Sequence, residues 1–210
     1  MLYWITIVAA SAVGVVLPFV SPASAHHLMG GELPSTAWHG LLSGLGHPII
    51  GIDHLAFIVG VGLMAHLAGR IALLPLLFVA GTVLGCFMHI QGHDLPLSEL
   101  LIAVTIVVAA GIIGTLARIP IVILGSLFVL AGVFHGYAYG ESIVGAETAP
   151  LAAYMIGFGV IQYCIAVASG TAVRMIAGRA NVSETLVMRL AGGGMALVAA
   201  VAFVNIALVG

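Results

Sequence analysis

The chain has 210 residues, of which 62% are hydrophobic and 6% charged, with a formal net charge of −2. Soluble domains carry about a quarter charged residues, so a globule of this length could not hide such a composition, and the weakly acidic balance excludes the basic footprint of a nucleic-acid binder. The composition therefore describes one membrane domain with no room for a large soluble partner domain.

Residues 2–20 form an apolar stretch interrupted late by Pro18, and Ala23-Ser24-Ala25 gives an A-x-A cleavage pattern before His26. Together these read as a secretory signal peptide over residues 1–25. The terminal amine is the one cation of its leading region, so an uncleaved first helix is the alternative. Both readings place His26 and His27 outside the cytoplasm. Cleavage would give His26 a free α-amino group, which with its imidazole, His27 and Met29 makes a candidate metal-catching terminus.

The mature chain, residues 26–210, is expected to be all-α: a polytopic transmembrane bundle of about six helices. Thr36 to Gly46 is amphipathic and reads as an interfacial or re-entrant piece. Apolar runs long enough to span a bilayer follow near 49–68, 71–90, 97–116, 119–138, 149–173 and 186–208. Turn chemistry separates them: Gly69-Arg70, Gln91 to Asp94, Arg118 before Pro120, Tyr139 to Glu141, and Arg179 to Glu184. There is no lysine, and the five cations are arginines at 70, 118, 174, 179 and 189. With His26 outside, alternation brings all of them to the cytoplasmic side, as the positive-inside rule requires. Glu32, Asp94, Glu99, Glu141 and Glu147 fall outside and Glu184 inside. This is the layout of a multi-pass bacterial inner-membrane protein with a periplasmic mature N-terminus. Gly81-x-x-x-Gly85, Gly136-x-x-x-Gly140 and Gly192–Gly194 allow close helix approach. Cys86 and Cys164 sit in apolar runs without a C-x-x-C pair, so neither a disulfide nor a thiolate site is expected.

Chemistry concentrates in two segments. In His47-Pro48-Ile49-Ile50-Gly51-Ile52-Asp53-His54, Pro48 suits the first position of a helix, with His47 at the cap and Asp53 and His54 about 9 Å further in. Ionisable side chains at that depth are rare and costly. Every arginine is assigned to the opposite side. The charge of Asp53 is then met by protonation, water, a histidine or a bound cation. The structural alternative is a neutral Asp bonded to backbone at a helix start. In His135-Gly136-Tyr137-Ala138-Tyr139-Gly140-Glu141, His135 and Tyr139 share a helix face. His135 lies at the level of His54 if both helices run as assigned. Two imidazoles and a carboxylate from different helices form a small N/O site that suits Ni, Co or Zn better than soft Cu(I); an interfacial histidine in an aromatic belt is the plainer reading of His135. His89, His93 and Asp94 read as an outer vestibule or a hydrated turn, His39 as interfacial, and His66 as a helix-end histidine at the cytoplasmic side.

These two segments resemble the motifs of the HupE/UreJ family of nickel and cobalt permeases, as does the layout of a cleavable signal and about six helices. The family's H-P-x-x-G-x-D-H motif is complete here as His47, Pro48, Gly51, Asp53 and His54. Its later H-G-x-A-H-G-x-E motif is matched at His135, Gly136, Ala138 and Gly140. Tyr139 stands where a histidine is usual, and Glu141 follows Gly140 directly where the acid often comes one step later. The resemblance implies a secondary or passive permease carrying a divalent ion, nickel or cobalt ahead of zinc or copper, from periplasm to cytoplasm. It implies metal handling by His47, Asp53, His54, His135 and Glu141, with capture by His26 and His27. It implies no enzymatic activity. The sequence has no G-x-x-x-x-G-K-[ST] loop, so no nucleotide partner is expected. The partners are the lipid bilayer and the metal ion, with a homo-oligomer left open. Two other readings are an intramembrane metal-dependent hydrolase, for which no H-E-x-x-H helix is present, and a membrane metal-binding accessory protein that does not transport.

Overall fold

The computed structural model describes residues 33–209; the expected signal peptide, His26, His27, Met29 and Glu32 lie outside the described residues. Within them the chain forms seven helices and no strand: α1 (Ala37–Ile50), α2 (Ile52–Leu67), α3 (Leu74–Ile90), α4 (Ser98–Thr115), α5 (Ile121–Glu141), α6 (Thr148–Ala180) and α7 (Glu184–Val209). The six expected spans correspond to α2–α7. Four helices, α4 to α7, are each long and apolar enough to cross a membrane. α1 and α2 together make a fifth such unit, bent by 82° between its halves. α3 is a shorter apolar helix of 17 residues.

The amphipathic piece expected before the first span is the body of α1, which extends past it to Ile50. Thr36 starts it, accepting the His39 backbone N–H at 3.1 Å. Pro48 is not the first residue of a spanning helix: it lies inside the last turn of α1, and the chain breaks at Gly51, which has extended backbone (φ −72°, ψ 102°). The physical reason is local. Pro48 offers no N–H to the Gly44 carbonyl and its ring crowds that carbonyl, so the helical ladder is interrupted in this turn. Gly44 and Gly40 of α1 press on the backbone of Tyr154 and Pro150 in α6, while Gly62 of α2 presses on Ala166 further along the same helix. The two halves thus succeed one another along α6, with His47, Pro48, Gly51 and His54 of the break buried in protein while Ile49, Ile50 and Ile52 face outward. Irregular backbone at membrane depth is tolerated only in such a place.

The core forms around α2, where Phe57, Ile58, Val61, Met64 and Ala65 are fully buried. α2 is flanked by α4, α6 and α7. Outward positions stay apolar as well: Val122, Leu130, Ile156 and Leu190 are all exposed, as a surface solvated by lipid requires. α3 and α5 form the closest pair. Gly81 and Gly85 lie against the backbone of Val129 and Val133, and Gly132 and Gly136 lie against that of Phe78 and Thr82. Where lipid is as apolar as the side chains, such close backbone approach is a main source of helix association.

The two ends of the bundle differ chemically. At one end the last turn of α2, the start of α7 and α6 meet. There His66 Nε2 lies 3.1 Å from Glu184 Oε2 and Arg174 Nε lies 3.9 Å from Glu184 Oε1. A small pocket lined by Met64, Leu67, Ile112 and Arg118 adds the connection between α4 and α5 to this end. The histidine-rich segments occupy the other end. A Cβ on Gly136 would collide with the Thr82 backbone, so Gly136→Ala should lower the stability of the detergent-solubilised protein by about 1–3 kcal/mol or more. Gly194→Ala, with nothing near its added carbon, should be neutral in the same thermal or denaturant assay.

Candidate functional site

The break at Gly51 turns the two motif halves toward each other. His47, in the last turn of α1, and His54, in the first turn of α2, are each 4% exposed, and their ring centroids are 6.1 Å apart. Asp53 is half-buried, and its Oδ1 accepts the His54 backbone N–H at 2.8 Å. This satisfies one of the first-turn donors of α2 and places a negative group at the positive end of that helix. Gly51 leaves room for the arrangement, since a Cβ there would lie 2.6 Å from His54 Cδ2 and 3.2 Å from Asp53 Oδ1.

α5 supplies the third imidazole. His135 is fully buried, and its Nδ1 lies 2.9 Å from His54 Nδ1. Its Nε2 lies 3.1 Å from Thr105 Oγ1 of α4, whose hydroxyl donates to the Ile102 carbonyl at 2.6 Å. Phe57 stacks on the His135 ring at 4.6 Å, and Phe78 meets it edge-on at 5.8 Å. Tyr139, one turn further on α5, is also fully buried and lies between the other two histidines, 4.7 Å from His54 and 5.0 Å from His47. Its phenol oxygen has no hydrogen-bond partner among the described residues.

His47 is anchored from the opposite side. Its Nδ1 lies 3.1 Å from Ser142 Oγ and 3.2 Å from Tyr154 Oη, which are 2.9 Å from each other. Both hydroxyls reach the Tyr139 carbonyl, Ser142 at 3.1 Å and Tyr154 at 2.9 Å. That carbonyl belongs to the last turn of α5, where helical donors run out.

The structure brings some of the expected site residues together and not others. His47, Asp53, His54 and His135 come into one neighbourhood. His47 and Asp53–His54 are not strung along one helix, because of the bend. Glu141 is exposed at the end of α5 and takes no part in the described hydrogen bonds of this site. At 100° per residue it is turned about 120° from His135, whereas Tyr139 and Ser142, four and seven residues on, return to the same face. His26 and His27 lie outside the described residues. Among the described residues, no three His, Cys, Asp or Glu side chains converge as a metal-holding cluster. α3 ends at Ile90, so His93 leaves the helix; His89 packs on Tyr137 at 4.3 Å with its Nδ1 buried and unbonded among the described residues. Thr105, Ser142 and Tyr154 were not singled out by sequence. Ser142 was within reach of the i, i+4, i+7 rule applied from His135, and Thr105 is a polar residue inside an otherwise apolar span.

Helical bundle and site together define a multi-pass membrane protein with an imidazole pair buried beside a broken helix. The chain belongs to the HupE/UreJ family: the model of the HupE / UreJ protein family matches residues 14–202. It is similar to Protein HupE of Rhizobium leguminosarum bv. viciae, with 29% identity over 168 residues, 79% of this chain and 85% of that protein. No solved structure matches the chain.

A buried hydroxyl left without a partner costs about 1–3 kcal/mol. Tyr139→Phe should therefore leave the stability of the metal-free protein unchanged or raise it. Tyr139→Ala, which deletes the ring between His47 and His54, should lower it by about 3–5 kcal/mol. Denaturation of both variants in one detergent checks this, and a Phe variant weaker than wild type would reveal a partner for the phenol.

Proposed function

We propose that this protein is a secondary or passive permease that moves a divalent transition-metal ion, nickel or cobalt, from periplasm to cytoplasm through the site at His54, His135, Asp53 and His47. One observation carries the reading: the Nδ1 atoms of His54 and His135, from two different helices, form a buried contact at 2.9 Å. Two nitrogens bound to one metal at about 2.0–2.1 Å and at right angles are themselves about 2.9 Å apart. The pair is thus spaced for a cation that takes cis nitrogen ligands. Nitrogen and oxygen donors select for nickel, cobalt or zinc over soft copper(I). Family membership and the similarity to Protein HupE support the same reading.

A site of two imidazoles with a neighbouring carboxylate holds a cation more loosely than a closed four-ligand site. Conduction requires this, since an ion must leave as well as arrive. No nucleotide is needed. A divalent ion moving inward through 100 mV gains about 4.6 kcal/mol, twice the per-charge figure. In this reading residues 1–25 are removed, the new terminus with His26 and His27 faces the periplasm and gathers the ion, and the arginine-bearing end faces the cytoplasm. The protein acts as a carrier or channel and catalyses no covalent step.

Proteoliposomes loaded with a metal-sensitive dye test the proposal with Ni²⁺ and Co²⁺ added outside. His54→Ala and Asp53→Ala should each abolish uptake while leaving the amount of folded protein unchanged. Wild-type rates in the His54 and Asp53 variants would refute the role, and metal binding without flux in the wild type would recast the protein as a binding accessory.

A further inference from the structure

Polar side chains in the middle of a membrane helix are costly and mark function by default. Gln162 is such a group, fully buried near the middle of α6. Its Nε2 donates to the Phe158 carbonyl at 2.9 Å and to Thr82 Oγ1 of α3 at 3.3 Å. A carbonyl only accepts, so the edge of the amide that meets Phe158 must be the nitrogen. This fixes the orientation of the group and turns Oε1 away from both partners. Oε1 is buried and has no hydrogen-bond partner among the described residues.

The neighbours of Gln162 do not need it. The Phe158 carbonyl lies inside α6, where the helical ladder already gives it the backbone N–H of Gln162. The Thr82 hydroxyl donates to the Val79 carbonyl at 2.8 Å. An apolar side chain of the same length at position 162 would leave neither group without a partner. It would also remove an acceptor whose desolvation nothing in the protein offsets. Packing and hydrogen bonding alone therefore favour another residue here.

The position of the amide suggests its use. Tyr154, Phe158 and Gln162 follow one another at four-residue steps on one buried face of α6. Tyr154 Oη lies 3.2 Å from His47 Nδ1, and the Phe158 ring meets that of Tyr139 at 5.5 Å. Gln162 is the next in this row. On α3 its partner Thr82 stands one turn from Phe78, which meets the His135 ring at 5.8 Å. Arg174, beside Glu184 at the opposite end of the bundle, lies about 18 Å further along the α6 axis at 1.5 Å per residue. Over that interval α2 offers only apolar side chains, from Phe57 to Ala65.

We propose that Gln162 Oε1 is an oxygen ligand for the divalent cation on its way between the histidine cluster and the opposite end of the bundle. The inference rests on the permease reading and adds a second stop to it. An amide oxygen is a hard donor that Ni²⁺, Co²⁺ and Zn²⁺ accept and soft Cu(I) does not favour. Being uncharged, it takes an ion handed on from nitrogen ligands without trapping it, as the carbonyl rings of ion channels do. The bonds made by Nε2 hold the oxygen in place for that contact.

Gln162→Met keeps the length of the side chain and deletes the oxygen. In proteoliposomes its initial Ni²⁺ and Co²⁺ uptake should fall about tenfold or more, the loss of one polar contact from the barrier. Its Ni²⁺ affinity, titrated in detergent, should stay within about threefold of wild type, and its thermal midpoint should be unchanged or higher. An amide that merely ties α6 to α3 gives the reverse, a lower midpoint with undiminished flux per folded protein. That result, or wild-type flux in Gln162→Met at any stability, would overturn the ligand. A second readout needs no transport. Protein labelled with ¹³C-glutamine in lipid bilayers has two side-chain carboxamide signals in solid-state NMR, from Gln91 and Gln162, and that of Gln162 is the one missing in Gln162→Met. Saturating Zn²⁺, a diamagnetic probe with the same donor preference, should shift it, and an unmoved signal would overturn the ligand. A signal that moves in a wild type that carries no ion across the bilayer would leave the ligand standing and overturn the permease reading instead.

Discussion

A helix interrupted inside a bundle must still satisfy its backbone, and much of this structure follows from how that is done between Pro48 and His54. Pro48 brings no N–H. The Gly51 N–H reaches back to the His47 carbonyl at 3.3 Å, the Leu55 N–H reaches the Gly51 carbonyl at 2.8 Å, and Asp53 takes the N–H of His54. In one unbroken helix, His47 and His54 would sit on the same face about 10.5 Å apart along the axis. The 82° bend shortens this to 6.1 Å between ring centroids. The break therefore brings two histidines that would stand two turns apart into one buried cluster, and its cost is met by groups that are themselves part of that cluster.

The walls are aromatic on the remaining sides. Phe57 and Phe78 cover His135, and Phe158 backs Tyr139 and Tyr154. Such a lining excludes water and strengthens each hydrogen bond inside it, while making any unmet polar group expensive. Glycine contacts hold the lining in place: α1 lies tight on the first turns of α6, and α3 lies tight on α5, so the helices that carry His47, Tyr154 and His135 have little freedom to drift. At the far end of α2, His66 meets Glu184, which also lies near Arg174. One helix therefore presents ionisable groups at both ends of the bundle, with a fully apolar stretch from Phe57 to Ala65 between them.

Much of this was legible in the sequence. The all-helical membrane bundle follows from composition and run length, and the close α3–α5 pair from Gly81 and Gly85. The shared level of His54 and His135 follows from alternating helix direction, and their rings do meet. What pattern reasoning misplaced was the helix start. Proline at position 48 suits the first turn of a helix but can also interrupt the last turn of one that precedes it, and periodicity cannot tell which when the flanks on both sides are apolar. Glu141 was drawn into the site by its chemical type, although helix geometry turns it outward. Thr105, Ser142 and Tyr154 escaped notice because a hydroxyl carries no motif. Their significance lies in contacts 30, 95 and 107 residues distant in sequence, which no local pattern encodes.

The placement of residues 141 and 142 has an electrostatic consequence. The residue just past α5 that meets His47 is a neutral serine, and the carboxylate beside it, Glu141, is exposed. An acid in the serine's place would hydrogen-bond His47 as well, but it would add a negative charge within reach of an imidazole in a medium where charges are poorly screened. That would deepen the well for any cation and draw protons onto the histidine. The Ser142 and Tyr154 hydroxyls, both within reach of the Tyr139 carbonyl, hold the His47 ring in place without adding charge. On the permease reading, Asp53 is the carboxylate that brings negative charge to the site among the described residues. That is enough to attract a divalent ion and too little to neutralise it, so the electrostatic well stays shallow enough for the ion to move on.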